Sequence, residues 1–296
     1  IIGRQTVWVN KKESHKWLLR PADIYRICEQ DPSRPRLIIM NYPSNPTGVT
    51  YNWEELEEIA AVAKKYRLII LSDEIYGELH FNGTHTSIAK FYPEGTIISG
   101  GLSKWCGAGG WRLGTFTFPN SLRNLLDTMA VVASETFTAT SAPIQYAAVK
   151  AFKGGMEIER YLWNTRKILK ALGNEIHNML SSAGVECPSP DGAFYLFPNF
   201  KNYTDKLRAK NVFTSMGLAT KLLEETGAAL LPGSVFGRPE EEYTARLAYV
   251  DFDGARALVA AETISPEDPL SEDFINTYCS HMLEGTKRIV AWLKSL

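Results

Sequence analysis

A chain of 296 residues with 45% hydrophobic and 22% charged side chains is long enough for a large core and would ordinarily divide into two domains. With 32 basic against 33 acidic residues it has no net field to gather nucleic acid or an anionic membrane surface, so a small-molecule partner is the better expectation. Four scattered cysteines (Cys28, Cys106, Cys187, Cys279), no leader-like segment and no apolar run of the ~20 residues that cross a bilayer point to a soluble protein in a reducing, cytoplasmic setting.

In chain order, the opening stretch from Ile1 to Val9 reads as a strand that starts as though in the middle of something, so an N-terminal part of the fold is expected to be missing. Four short apolar runs then read as buried strands: Leu37-Ile38-Ile39-Met40, Leu68-Ile69-Ile70-Leu71, Thr96-Ile97-Ile98 and Gly114-Thr115-Phe116-Thr117-Phe118. Between the first two, residues 53–66 carry Leu56, Ile59, Ala60 and Ala63 at helical spacing, with Asn52 and Glu55 as a capping pair. From Met156 to Ser182, apolar positions three or four apart predict one long amphipathic helix that ends before Gly184 and is able to bridge two domains. Beyond it, residues 193–197, 228–231 and 246–250 read as strands and 209–225 as a helix. Residues 270–296 read as a helical pattern interrupted near Gly285. Short strands alternating with helices predict an α/β fold: a three-layer α/β/α domain with a mostly parallel sheet over residues 1–160, then a smaller α+β domain over 161–296.

Ligands of open α/β sheets sit at the carboxyl ends of the strands, and those ends are polar here. Asn41-Tyr42-Pro43-Ser44-Asn45-Pro46-Thr47-Gly48 follows the first run, Ser72-Asp73-Glu74-Ile75-Tyr76 the second, and Ser99-Gly100-Gly101-Leu102-Ser103-Lys104 the third. A lysine, an aspartate, a tyrosine and an asparagine would meet in one crevice, a set that suits a pyridoxal site. The stretch from Gly101 to Gly114, with Lys104 and an arginine eight residues later at Arg112, resembles the pyridoxal-lysine signature of class I and II aminotransferases, the aspartate aminotransferase-like fold. Asn45-Pro46-Thr47-Gly48, Asp73-Glu74-Ile75-Tyr76, Gly192-Ala193-Phe194-Tyr195, the stretch from Pro232 to Gly237 and Arg246-Leu247 are similar to that family in its order, so the likeness covers essentially the whole chain.

The resemblance implies pyridoxal 5′-phosphate held as a Schiff base on Lys104, and a ping-pong transfer of an amino group from an amino acid to a 2-oxo acid. Lysine attacks an aldehyde only as the free base, so Lys104 needs a partly desolvated site near cationic charge. Arg112 is expected on the cofactor phosphate, where a planar guanidinium gives two directed hydrogen bonds, with Ser103 beside it. Asp73 is the candidate for keeping the pyridine nitrogen protonated. Tyr76 and Asn45 would donate to the ring's phenolic oxygen, and Arg246, with Asn45, would bind the substrate carboxylate. Gly101 departs from the family pattern, since many relatives carry a phosphate-binding serine three residues before the lysine. The phosphate grip then falls to backbone N–H groups or to Ser99. The resemblance also implies a homodimer with sites at the subunit boundary, and an upstream glycine loop and ring-stacking aromatic that this chain does not show.

The glycines from Gly107 to Gly110 precede a strand, not a helix, and lack dinucleotide spacing. Cys106 reads as a packing residue. The five histidines His15, His80, His85, His177 and His281 show no ligand spacing, so no metal is expected. A carbon–sulfur lyase or synthase would use the same residues, as would a non-catalytic binding module built on the fold. Release of ammonia or thiol marks the lyase, and absence of turnover with cofactor bound marks the module.

Overall fold

The chain, described here from a computed structural model, is defined over residues 6–31 and 36–296. Of the strand expected at the start, residues 1–5 lie outside the described residues and 6–9 have no regular secondary structure. Helix α1 (Pro21–Gln30) leads into strand β1 (Leu37–Asn41), helix α2 (Trp53–Lys65), and strands β2 (Ile69–Asp73), β3 (Thr96–Gly101) and β4 (Gly114–Thr117). All four predicted strands form, but the burial expected of them holds only in part: β1 buries Met40 alone and β4 buries none of its residues. The four make one sheet in the order β1-β2-β3-β4, with β1, β2 and β3 parallel and β4 antiparallel to β3.

α2 starts where its residues say it must. The Asn52 side chain accepts from the Glu55 N–H at 2.8 Å and the Glu55 carboxylate accepts from the Asn52 N–H at 3.0 Å, a reciprocal cap. Leu56, Ile59, Ala60 and Ala63 are all buried on one face, packed with Ile24, Cys28, Met40 and Ile70 in a first core. Each fully buried Leu or Ile there contributes about 1.5–3 kcal/mol.

Two helices follow the sheet, α3 (Arg123–Thr136) and α4 (Ala142–Lys153), neither of which had been picked out from the sequence. α3 buries none of its residues and α4 only Ala148. The long helix α5 (Met156–Ser182) has the bounds that its apolar spacing predicts. Its stripe of Leu162, Ile168, Leu169, Leu172, Ile176 and Leu180 anchors a second core, which runs from Tyr76, Leu102 and Trp105 through to Leu247 and Leu293.

The remaining strands are shorter than expected: β5 (Tyr195–Leu196), β6 (Leu231–Pro232) and β7 (Ala245–Ala248) form a sheet in the order β5-β7-β6, all antiparallel. The single helix expected over 209–225 is instead two, α6 (Thr204–Ala209) and α7 (Ser215–Thr226). Asn211 at φ +59° breaks the run, and Thr214 caps α7 by accepting from the Gly217 N–H at 3.0 Å. The chain closes with α8 (Gly254–Ala261), α9 (Glu272–Tyr278) and α10 (Ser280–Ser295). The break in this last stretch falls at Cys279, not near Gly285, which sits within α10. Among the described residues no helix is long and apolar enough to cross a membrane.

Candidate active site

Because β1, β2 and β3 are parallel, their carboxyl ends open on one edge, and the register sets Asn41 beside Asp73 and Asp73 beside Ser99. Asn41 Nδ2 donates to Asp73 Oδ2 and to the Asp73 carbonyl, both at 3.1 Å. Asn41 Oδ1 accepts from the Asn45 N–H at 2.7 Å. The Ile75 N–H reaches Asp73 Oδ1 at 3.4 Å. Burial pushes the Asp73 carboxyl above the usual carboxylate range, outweighing the hydrogen bonds from Ile75 and Asn41. Among the described residues no basic side chain is ion-paired with it.

Its neighbour Glu74 has the opposite fate. Ser72 Oγ and Ser87 Oγ donate to Glu74 Oε1 at 2.8 and 2.6 Å, and His85 Nε2 stands 2.9 Å from Oε2. Burial works to raise this carboxyl too, but those bonds hold it below its ordinary value. Two adjacent carboxylates thus divide: Glu74 is spent on Ser72, Ser87 and His85, while Asp73 has only the Asn41 amide and the Ile75 N–H.

From Asp73 a continuous series of contacts leads to the lysine. Asn45 Oδ1 accepts from Arg246 Nη1 at 2.9 Å. The Arg246 guanidinium, on β7, lies 4.8 Å from the Tyr195 ring centre and 5.2 Å from that of Phe236, while its Nε is buried without a hydrogen-bond partner. Tyr195, on β5, shares a hydrogen bond with Tyr76 through their hydroxyls, 2.9 Å apart. The Tyr76 ring centre is 5.8 Å from Lys104 Nζ. Lys104 is half-buried in a turn closed by Gly107 N–H to the Lys104 carbonyl at 3.1 Å and Ala108 N–H to the Leu102 carbonyl at 3.2 Å. Burial, with the Tyr195 contact next, pushes the Tyr76 phenol far up, so it remains a neutral hydrogen-bonding group.

The structure therefore brings Asp73, Asn45, Arg246, Tyr76 and Lys104 together. Arg112 and Ser103 stand apart from that series. They leave and rejoin the same base, where the Leu102 N–H meets the Leu113 carbonyl at 3.3 Å. The exposed Arg112 guanidinium donates to the Gly109 carbonyl at 2.8 Å. Gly101 has a steric reason to lack the serine side chain: a Cβ there would lie 2.6 Å from the Leu113 carbonyl oxygen. Only backbone can present itself at that position. Three residues in the series had no role assigned from the sequence. Asn41 was legible as the polar end of β1, and Tyr195 and Phe236 lie in the Gly192–Tyr195 and Pro232–Gly237 motifs, but they reach the site from 119 and 160 residues beyond Tyr76 by pairings no local spacing encodes.

These residues fit the pyridoxal phosphate that the motifs imply. A lysine amine stands at a strand end, a half-buried carboxylate without a basic partner suits a protonated ring nitrogen, and a phenol and an amide lie between them. The Arg246 guanidinium, held through Nη1 by Asn45, is the cation nearest to hand for a substrate carboxylate.

Comparison with known proteins gives the family. The family model described as "Aminotransferase class I and II" matches residues 3–260. The aspartate aminotransferase of Bacillus subtilis (strain 168) is 33% identical over 254 residues, 84% of this chain and 61% of that protein. The asparagine–oxo-acid transaminase of Streptococcus mutans is 34% identical over 222 residues, 73% of this chain and 53% of that one. Among solved structures, the aromatic aminotransferase from Pyrococcus horikoshii OT3 superposes with a TM-score of 0.75 at 26% identity, over 96% of this chain and 66% of its own. The chain spans about half the length of the first curated relatives it matches.

Proposed function

This chain belongs to the class I and II aminotransferases, and on that premise we propose that it carries the reacting half of a pyridoxal-phosphate-dependent transaminase, moving an amino group from an amino acid to a 2-oxo acid. One observation carries the reading: the unbroken run of contacts from Asp73 through Asn41, Asn45, Arg246, Tyr195 and Tyr76 to Lys104. When bound, pyridoxal phosphate supplies an electron sink for the pair left on the substrate Cα.

The protein's own residues do the rest. Lys104 would hold the cofactor aldehyde and, as a free amine, would move the proton between the substrate Cα and the cofactor's C4′. The Asp73 carboxylate, steadied by Asn41, keeps a proton on the ring nitrogen. Tyr76 and Asn45 donate to the ring oxygen. Arg246 offers its guanidinium to the carboxylate common to all amino acids, so it fixes orientation without choosing the side chain. Arg112, with Ser103, and backbone N–H groups or Ser99 in place of the family serine, would grip the phosphate.

Residues 1–160 as a large cofactor-binding domain and 161–296 as a small one are part of the same proposal, supported by the four-stranded sheet lying in the first and the three-stranded sheet in the second. So are a homodimeric state, supported by the apolar residues exposed on α3 and α4, and a cytoplasmic setting, supported by four unpaired cysteines.

Borohydride reduction of the pyridoxal-phosphate-loaded protein followed by peptide mapping is the test. The label is expected on Lys104, and Lys104→Ala and Lys104→Arg are expected to take up none. Label on another lysine overturns the assignment. Half-reactions against a panel of amino acids should yield 2-oxo acids; ammonia or thiol release in their place would make the enzyme a lyase.

A further inference from the structure

Tyr76 has one hydroxyl proton, and its proposed task is to donate that proton to the cofactor's ring oxygen. Yet its oxygen is 2.9 Å from the Tyr195 hydroxyl, so one member of the pair must donate to the other. Both side chains are buried, with 3% and 5% of their surface exposed, so neither can turn to solvent for a partner. If Tyr76 donates, its proton is used up and the ring oxygen keeps only the donor from Asn45.

The surroundings decide the polarity. The Arg246 guanidinium lies over the Tyr195 ring at 4.8 Å, and a cation on that face draws electron density from the ring and makes its hydroxyl a better donor. On the other side, burial, the Tyr195 contact and then the Asp73 carboxylate hold the proton on Tyr76, against a smaller opposing pull from Arg246. The two rings meet edge to face at 5.6 Å and 82°, and Phe194 packs on both, 5.7 Å from Tyr76 and 4.6 Å from Tyr195, so neither phenol is free to swing away.

We propose that Tyr195 is a positioning residue whose hydroxyl donates to Tyr76 Oη, leaving the single Tyr76 proton for the ring oxygen of pyridoxal phosphate and strengthening its donation. The inference rests on the functional reading above. Hydrogen bonds in series polarise one another, so the donor behind Tyr76 makes Tyr76 the stronger donor in front. The charged and titratable groups facing the pair are Arg246 over Tyr195, and Asp73 and Lys104 beside Tyr76.

The test is a pH titration of the visible absorption of the pyridoxal-phosphate-loaded protein, for the parent, Tyr195→Phe, Tyr76→Phe and the double variant. Phenylalanine at 195 keeps the ring under Arg246 and the packing, and thermal melts confirm that each variant is folded. A donor to the ring oxygen favours its anion and lowers the midpoint of the titration. Tyr195→Phe is therefore expected to raise it, by roughly 0.5–1 pH unit for the partial loss of one charge-assisted bond, and to have no further effect once Tyr76 is phenylalanine. A midpoint that falls in Tyr195→Phe means that Tyr76 had been donating to Tyr195 and overturns the proposal. So does an unchanged midpoint, or an equal shift with and without the Tyr76 hydroxyl. If Tyr76→Phe itself titrates like the parent, the functional assignment of Tyr76 fails, and the inference falls with it. A shift in Tyr76→Phe with none in Tyr195→Phe sinks the inference alone.

Discussion

Asp73 is half-buried, hydrogen-bonded to the Asn41 amide and the Ile75 N–H, and carries a carboxyl that burial pushes up from its ordinary 3.8. A folded-state pKa above the unfolded one means that ionising Asp73 costs folding stability. The cost is absent below about pH 3.8 and grows as pH rises through the higher folded value. For the cofactor-free protein we expect the melting temperature of Asp73→Asn, relative to the parent, to improve as pH rises above about 3.8 and to level off once pH has passed the higher folded value. A difference that is flat across that range would show that burial of the charge is not what Asp73 costs. Turnover of the same variant should fall by about 10²–10⁴-fold, because an amide cannot hold the ring proton in place. Stability and activity then move in opposite directions at one residue, as expected where a site is strained for function. The choice of Asp73 over Glu74 was readable from its place at a strand end, whereas the reason Glu74 is unavailable, its bonds to Ser72, Ser87 and His85, needed the fold.

At the scale of elements, α5 carries a glycine that local propensity argues against. Alanine in place of a mid-helix glycine ordinarily gains about 1 kcal/mol. At Gly173, however, a Cβ would stand 2.8 Å from the Tyr249 hydroxyl oxygen, 3.0 Å from its Cζ and 3.3 Å from Pro190 Cγ. Gly173→Ala is expected to destabilise the protein by about 1–3 kcal/mol in denaturant melts, the usual cost of overpacking. Tyr249→Phe removes a fully buried hydroxyl that has no hydrogen-bond partner, so it should cost little alone and restore part of the loss in the double variant. A Gly173→Ala protein as stable as its parent would refute the contact. The cap of α2 obeys local rules without such a conflict, and Asn52→Ala should cost about 1 kcal/mol by leaving the Glu55 N–H without its acceptor.

For the molecule as a whole, the helices α3 and α4 pose the largest open demand. α3 buries nothing, and Val131, Val132, Phe137, Tyr146, Val149 and Phe152 are each exposed by half or more of their surface. Apolar area of this kind marks an association surface, and the proposed homodimer would cover it. Sedimentation should show a dimer that Val132→Asp with Val149→Asp converts to monomer, and a parent that already sediments as a monomer would remove this support. The sequence by itself determined the strands β1 to β4, the full extent of α5, and the polar strand ends that carry Lys104, Asp73, Tyr76 and Asn45, because each depends on neighbours a few residues away. It erred over residues 204–226 and 272–295, where helix ends are placed by single backbone turns at Asn211 and Cys279 that periodicity averages over. Only the tertiary structure decided that Asn41 holds Asp73, that Arg246 meets Asn45 from 201 residues away, and that Tyr195 stands behind Tyr76. Those contacts arise from sheet register and from the hydrogen bonds that tie residues 191–193 to Gly48 and Leu79, and the free energy that sets them is spread over both cores, not written in any short stretch of chain.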